Sequence, residues 1–228
     1  MKLSRKQLLA ASAAAFIPAA CSSPPVAADG SSATFTFDPA RFERILAIRA
    51  RHKQCVASAK VANGLVFYAM VATLYAYEFD LHEGAGTVHE VGVFYHPEGV
   101  VLGLGDGVWN DIIVPALPYL LRHEFSGFRS KPAQPGKGNP YLHRDKRIAL
   151  EDDPSIEALA SRGCHFFVCN NALRSLAGTL AIALHRPQES IYARMRDDLV
   201  PNSMVVPAGV MAINACQEAH FTYLQAAL

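Results

Sequence analysis

The residue best suited to chemistry is Cys169, which stands where a buried strand gives way to a helix. The apolar run 165–168 precedes it, and Asn170 and Asn171 follow it. Apolar residues then recur every three or four positions as far as Leu180, which predicts a helix. A helix begins with unpaired N–H groups and the positive end of its dipole, so a thiol there is favoured to ionise, and the thiolate is the nucleophilic form. Cys169 is therefore a candidate nucleophile, and the alternative is that it packs as a small apolar residue.

A second strand is predicted to end close to Cys169. The apolar run 204–206 forms this strand, and the turn Pro207-Ala208-Gly209 leads into a last helix predicted over residues 210–224. Because ligands of parallel α/β sheets bind beyond the carboxyl ends of the strands, we expect Pro207 and Gly209 to face one crevice with Cys169.

Strands and helices alternate along the rest of the chain, which predicts an α/β fold with a mostly parallel central sheet covered by helices on both faces. An Asp-Pro pair opens the first helix, with Asp38 as the N-cap and Pro39 in the first turn. The other predicted elements are strands over 53–59, 87–95 and 100–104, and helices over 65–79, 112–125, 154–162 and 187–199.

One long segment, residues 126–147, interrupts this alternation. It is rich in glycine, proline and basic residues, and a structureless segment of this length in a compact domain is usually functional or disordered. Two interpretations stay open: a lid that carries cations over an anionic ligand, or a solvated insertion.

Composition narrows the classes of function. The 228 residues are 51% hydrophobic and carry a formal net charge of +1, so neither a disordered chain nor a nucleic-acid-binding protein with a basic surface is expected. No HExxH motif and no tight Cys/His cluster occurs in the sequence, so we predict neither a metal site nor another cofactor.

The N-terminus has the features of an export signal. Three basic residues lie within residues 1–7, and a short apolar stretch follows over 8–20. Residues 1–28 are predicted to be the cleaved signal and the start of a tether, with 29–37 flexible and 38–228 a single domain. We expect a periplasmic protein exported by either the twin-arginine or the general route. The alternative is a membrane-anchored lipoprotein attached through Cys21, the one case that involves a membrane.

Four cysteines remain for the mature domain, and an oxidising compartment permits disulfides between them. Four cysteines allow three pairings. Cys164 and Cys169 are unsuited to each other because five residues of strand span about 16 Å, whereas a disulfide requires Cα atoms within about 7 Å. The pairing otherwise stays open for Cys55 and Cys216.

Three blocks of the C-terminal third, in this order, resemble the DsrE/DsrF-like sulfur-relay family. They are FFVCNNAL around Cys169, VVPAGVMAI around Gly209, and CQEAHFTYL with Gln217 and Glu218. The resemblance implies a flavodoxin-like three-layer sandwich that often oligomerises. For the sulfur-carrying members it also implies a reactive cysteine that bears a persulfide.

Transferred to this chain, the resemblance implies a thiol-based sulfur carrier or sulfurtransferase acting through Cys169. Asn170 and Asn171 would then position the sulfur, and Glu218 or His220 would move a proton. Asn170 has a second interpretation as a helix cap. The expected partners are a small sulfur-bearing or anionic ligand and a second copy of the chain. The alternative function is a non-enzymatic module that binds a small ligand or a partner protein in the crevice while Cys169 only packs.

Overall fold

The computed structural model describes residues 35–123, 125 and 135–227. The predicted export signal, Cys21, most of the tether and the first part of the 126–147 segment lie outside these residues. The strands are β1 (His52–Ser58), β2 (Val88–Phe94), β3 (His165–Cys169), β4 (Ser203–Val206) and β5 (Thr222–Ala227). The helices are α1 (Pro39–Leu46), α2 (Leu65–Tyr75), α3 (His96–Gly99), α4 (Asp106–Val108), α5 (Val114–His123), α6 (Ile156–Ser161), α7 (Asn170–Leu184), α8 (Gln188–Asp197) and α9 (Gly209–Glu218).

The five strands form one sheet in the order β4-β3-β2-β1-β5, and every pairing is parallel. Helices α1 and α9 pack on one face, where Phe42, Ile45 and Ala212 meet the sheet. Helices α2, α5, α6, α7 and α8 share the larger apolar core on the other face. The protein is therefore an α/β three-layer sandwich of the flavodoxin-like type, which confirms the predicted fold class.

Local sequence explains where helices α1 and α6 begin. The Asp38 carboxylate accepts a hydrogen bond from the Arg41 amide at 2.9 Å and so caps α1 as predicted. Helix α6 begins two residues later than the predicted start at residue 154, because Ser155 is the N-cap and its hydroxyl accepts from the Ala158 amide at 3.2 Å. Asp153 instead binds the Ser155 amide at 2.9 Å and holds the turn before the helix.

The prediction of a strand over 100–104 is wrong, because Val100–Gly103 form a 3-10 helix. Four consecutive buried residues explain the error: the segment is enclosed on all sides, and its apolar run therefore carries no periodicity. A Cβ on Gly103 would lie 2.6 Å from Val168 of β3, so this helical turn packs against the sheet with no room for a side chain there.

The last helix is shorter than predicted and a strand follows it. Helix α9 ends at Glu218, and His220 adopts a left-handed conformation with φ 67° that turns the chain. Residues 222–227 then form β5 beside β1, with Cys55 opposite Tyr223. The predicted helix over 210–224 is therefore wrong beyond residue 218.

The later part of the 126–147 segment packs against the domain. Asn139 is buried, and its amide nitrogen donates to the carbonyl oxygens of Leu104 at 2.8 Å and Leu102 at 3.3 Å. Tyr141 and Leu142 are also buried. Residues 139–142 are thus an integral part of the core on the α2 face.

Candidate active site at the carboxyl edge of the sheet

The carboxyl ends of β2, β3 and β4 bring three segments together. Phe94 pairs with Val168 and Cys169 with Val206, so Tyr95, Cys169 and the turn before α9 lie at one edge of the sheet. The Tyr95 amide donates to the Ser58 carbonyl at 3.1 Å and extends this edge to the end of β1. The edge is the place where an open parallel sheet binds its ligands.

Cys169 is both the last residue of β3 and the N-cap of α7. Its side chain is 6% exposed, whereas Cys55 and Cys216 are 0% and Cys164 is 1% exposed. No side chain caps α7, and none caps α9, whose N-cap is Ala208. Two helix N-termini without side-chain caps therefore flank the Cys169 position, and both favour negative charge there.

Gly209 allows α9 to approach this edge closely. A Cβ built on Gly209 would lie 2.5 Å from the Tyr95 Cβ and 3.4 Å from the Cys169 Cβ. Real side-chain carbons do not approach to 2.5 Å, so only glycine permits this spacing. Of the predicted binding residues in this turn, Gly209 contacts the Cys169 region, and Pro207 lies beside it at the end of β4.

Asn170 and Asn171 differ in their surroundings. Asn170 is 7% exposed and its amide oxygen accepts a hydrogen bond from the Tyr192 hydroxyl. The Arg174 and Arg196 guanidinium groups lie 4.5 Å and 4.7 Å from the Tyr192 ring centroid. The Asn170 oxygen thus has a structural partner, whereas Asn171 is exposed at the same edge.

Gln217 and Glu218 do not join this group. They lie at the C-terminal end of α9, and a ten-residue helix rises about 15 Å from its first residue. The Glu218 carboxylate accepts from the Asn214 amide at 2.7 Å. His220 is at that same opposite edge, beside Arg51 and Lys53 along a cavity of about 180 Å³. The structure therefore separates the predicted proton-transfer residues from Cys169.

Two residues at the site were not selected from the sequence. Tyr95 directly follows β2, and its hydroxyl donates to the Gln225 side-chain oxygen at 3.0 Å. Gln225 belongs to β5, and its side-chain oxygen accepts a second hydrogen bond from the Tyr223 hydroxyl. The rule applied to Cys169, that residues just after a strand face the ligand edge, would have identified Tyr95. It would have missed Gln225, because its strand was predicted as helix.

The other described cysteines, Cys55, Cys164 and Cys216, are more deeply buried than Cys169, and two of them have environments that suppress ionisation. Burial raises the pKa of Cys164, and the neighbouring Glu90 adds to the effect. The Cys164 Sγ lies 3.9 Å from a Glu90 carboxyl oxygen. The hydrogen bond to the Cys216 thiol and then burial raise the pKa of Cys55. These features leave Cys169 as the best candidate nucleophile among the described cysteines.

Among the described residues, no group of three or more His, Cys, Asp or Glu side chains is arranged to hold a metal ion. Within the same ranges, no helix has the length and apolar character needed to cross a membrane. Comparison of the chain with protein-family models, curated proteins and solved structures finds no match.

Proposed function

We propose that the protein is an exported, DsrE-like sulfur carrier or sulfurtransferase that acts through the thiol of Cys169. One observation carries the proposal: Cys169 lies at a strand–helix junction with the N-termini of α7 and α9 beside it, neither capped by a side chain. The positive ends of two helix dipoles favour negative charge beside them, and a thiolate or a persulfide anion would supply that charge.

In the proposed reaction, the Cys169 thiolate attacks the outer sulfur of a persulfide or polysulfide donor. A sulfur–sulfur bond forms at Cys169, the donor's sulfur–sulfur bond breaks, and its electron pair leaves with the donor thiolate. The Cys169 proton passes to water or to that leaving thiolate, so the step needs no external oxidant. A thiolate acceptor then removes the outer sulfur in the reverse sense and restores Cys169.

Backbone groups at the junction support the charged intermediate in this proposal. The amides of Asn171 and Ala172 belong to the first turn of α7, whose N–H groups have no partners within the helix. Gly209 brings the first turn of α9 to the same position. Glu218 and His220 have no part in the proposal, because the length of α9 separates them from Cys169.

A binding module is the second candidate, and the low exposure of Cys169 favours it. At 6% exposure the side chain is nearly enclosed, and the Asn170 oxygen is already bonded to Tyr192. In that case a small anionic ligand or a protein occupies the crevice without covalent chemistry. Cys169→Ser would then fold and bind as the wild type does.

The proposal includes self-association through α2. Four solvent-exposed residues of α2 and one of the π-helix Ala76–Asp80 that continues it recur at spacings of three and four and form one apolar stripe: Leu65, Tyr68, Ala72, Tyr75 and Phe79. Their exposed parts give roughly a few hundred Å² of apolar surface, a size that marks interaction sites. A second copy presenting the same stripe would cover it as a symmetric helix pair.

The proposed location is the periplasm, with anchoring through a lipidated Cys21 as the alternative. Intact mass of the protein recovered from the exporting cell distinguishes a chain cleaved near residue 28 from one that carries lipid at Cys21. A chain retaining the whole N-terminus would contradict both.

Persulfide loading tests the proposed activity. The purified chain is treated with a polysulfide donor, freed of excess donor, and analysed by intact mass with and without reductant. We expect one reductant-labile sulfur on the wild type and on Cys164→Ala, and none on Cys169→Ser. Equal loading of the Cys169→Ser variant would refute the sulfur-carrier proposal.

A further inference from the structure

Two cysteines outside the candidate site contact each other inside the domain. Cys55 lies in the middle of β1 and Cys216 in the last turns of α9, and both are completely buried in the apolar layer between the sheet and α9. Their thiols are hydrogen-bonded to each other. A disulfide forms between cysteines whose side chains face each other at short range, and this pair has that arrangement.

We propose that Cys55 and Cys216 form a disulfide when the chain folds in an oxidising compartment, and that Cys164 and Cys169 stay thiols. The bond would join β1 to α9 and enclose most of the domain between its two ends. The inference rests on the proposed export for its oxidant, but not on any chemistry at Cys169.

The structure disfavours both alternative pairings of the four cysteines. Cys164 is fully buried at the start of β3, where its thiol points to Glu90. Cys169 lies at the other end of the same strand, about 16 Å away at the rise of extended chain. Cys164 and Cys169 belong to the apolar core on the opposite face of the sheet, whereas Cys55 and Cys216 lie between the sheet and α9.

The bond forms by thiol–disulfide exchange with a disulfide-bearing oxidant, either a protein or a small molecule. One thiolate of the pair attacks the oxidant and forms a mixed disulfide, releasing one oxidant thiolate. The second cysteine's thiolate then attacks the Sγ atom of its partner in the mixed disulfide. The bond between that Sγ and the oxidant sulfur breaks, and the second oxidant thiolate leaves. The protein loses two protons and two electrons, and the oxidant's disulfide becomes two thiols.

Burial fixes the time at which this exchange takes place. In the folded domain both thiols are inaccessible, and the hydrogen bond from Cys216 keeps the pKa of Cys55 raised. The thiolate required for exchange is therefore scarce once folding is complete. The pair is oxidised during folding, and the finished disulfide is shielded from reductants in the same way.

Peptide mapping of the full chain tests the inference directly. The chain is unfolded with reductant and refolded in a buffer of oxidised and reduced glutathione. It is then alkylated in denaturant without reduction and digested with trypsin. Cleavage after Lys and Arg puts Cys55 on residues 54–60 and Cys216 on residues 197–228, whereas Cys164 and Cys169 share residues 163–174 and Cys21 lies on 7–41. We expect a linked pair of peptides 54–60 and 197–228 with two alkylated cysteines on 163–174.

A stability comparison provides a second arm. Closing a loop of this length should raise the melting temperature of the oxidised wild type above the reduced wild type by roughly 10 °C. The Cys55→Ala/Cys216→Ala double variant should melt at the same temperature in both buffers, and Cys164→Ala should retain the wild-type difference. Alkylated Cys55 and Cys216 in the oxidised chain, or a link to any other cysteine, would overturn the inference. A confirmed link with an inert Cys169 would refute only the sulfur-carrier proposal.

Discussion

Replacing Gly209 with alanine tests the close packing around Cys169. The new Cβ would lie 2.5 Å from the Tyr95 Cβ and 3.4 Å from the Cys169 Cβ. Tyr95 cannot yield by rotating its side chain, because the contact is to its Cβ. The first turn of α9 must therefore retract from the sheet by about 1 Å, and overpacking of this kind costs about 1–3 kcal/mol.

The cost should appear as a lower melting temperature and a change in the reactivity of Cys169. For a domain of this size each kcal/mol is worth about 2–4 °C, so we expect a decrease of roughly 5 °C by calorimetry or circular dichroism. The retraction should also change the native-state alkylation rate of Cys169, measured by mass spectrometry.

Gly178→Ala is the matched control. Gly178 lies inside α7, and a Cβ added there would meet its nearest atoms at 3.7 Å, on the Gln188 side chain. Alanine there should stabilise the protein by about 0.5–1 kcal/mol, because glycine is the poorer helix former. The two substitutions are thus expected to have opposite signs. A Gly209→Ala protein as stable as the wild type would refute the packing described for this edge.

Three further predictions concern buried polar groups. Burial raises the pKa of Glu90 well above its ordinary 4.5, so its stabilising contribution is complete below that pH and is lost as the pH rises. In urea titrations, the stability of Glu90→Gln relative to wild type should therefore increase from pH 4.5 upwards. A difference that stays constant with pH would contradict this. Burial, and then the neighbouring His165, lower the pKa of His89 from 6.5 to about 4, so stability should decrease by roughly 3 kcal/mol as the pH falls between those values. His89→Gln should show a shallower decrease over that range, and an unchanged slope would refute the assignment. Asn170→Ala should lower the free energy of unfolding by about 1–3 kcal/mol, because it leaves the Tyr192 hydroxyl without its acceptor. Asn171→Ala, at an exposed position, should change it by no more than about 0.5 kcal/mol. Equal effects of the two substitutions would contradict the difference in burial.

The pattern of apolar residues along the chain made most of the sheet predictable. Strands β2 to β4 are short, mainly apolar segments bounded by turn residues, and β1 is apolar in its second half. The helices between the strands have an apolar face, so the order of the elements indicated a parallel sheet. The junction at Cys169 followed from the same pattern, because the apolar run stops at one residue and helical spacing begins at the next.

The errors arose where tertiary contacts override local pattern. Strand β5 lies at the edge of the sheet and its first three residues are exposed, so it lacks the apolar run of a central strand. The turn before it uses His220 in a left-handed conformation where a glycine would have signalled the end of the helix. Gln217 and Glu218 joined the predicted site only through the family resemblance, and α9 carries them away from Cys169.

Contacts between segments that are distant in the chain could not be predicted from the sequence. The approach of Gly209 to Tyr95 joins residues of two different crossovers. The Cys55–Cys216 contact joins β1 to α9, and cysteine spacing alone left all pairings of these residues open. Both depend on the order of strands in the sheet, which the residue pattern does not specify.

Native-state labelling of the peptide 163–174 tests the central claim most directly. It contains both Cys164 and Cys169, so fragmentation of one peptide compares the two thiols under identical conditions. After brief alkylation of the folded chain at neutral pH, followed by quenching and digestion, we predict a label on Cys169 and almost none on Cys164. Labelling of Cys169 only after unfolding, at the rate of Cys164, would contradict the assignment of Cys169 as the reactive thiol.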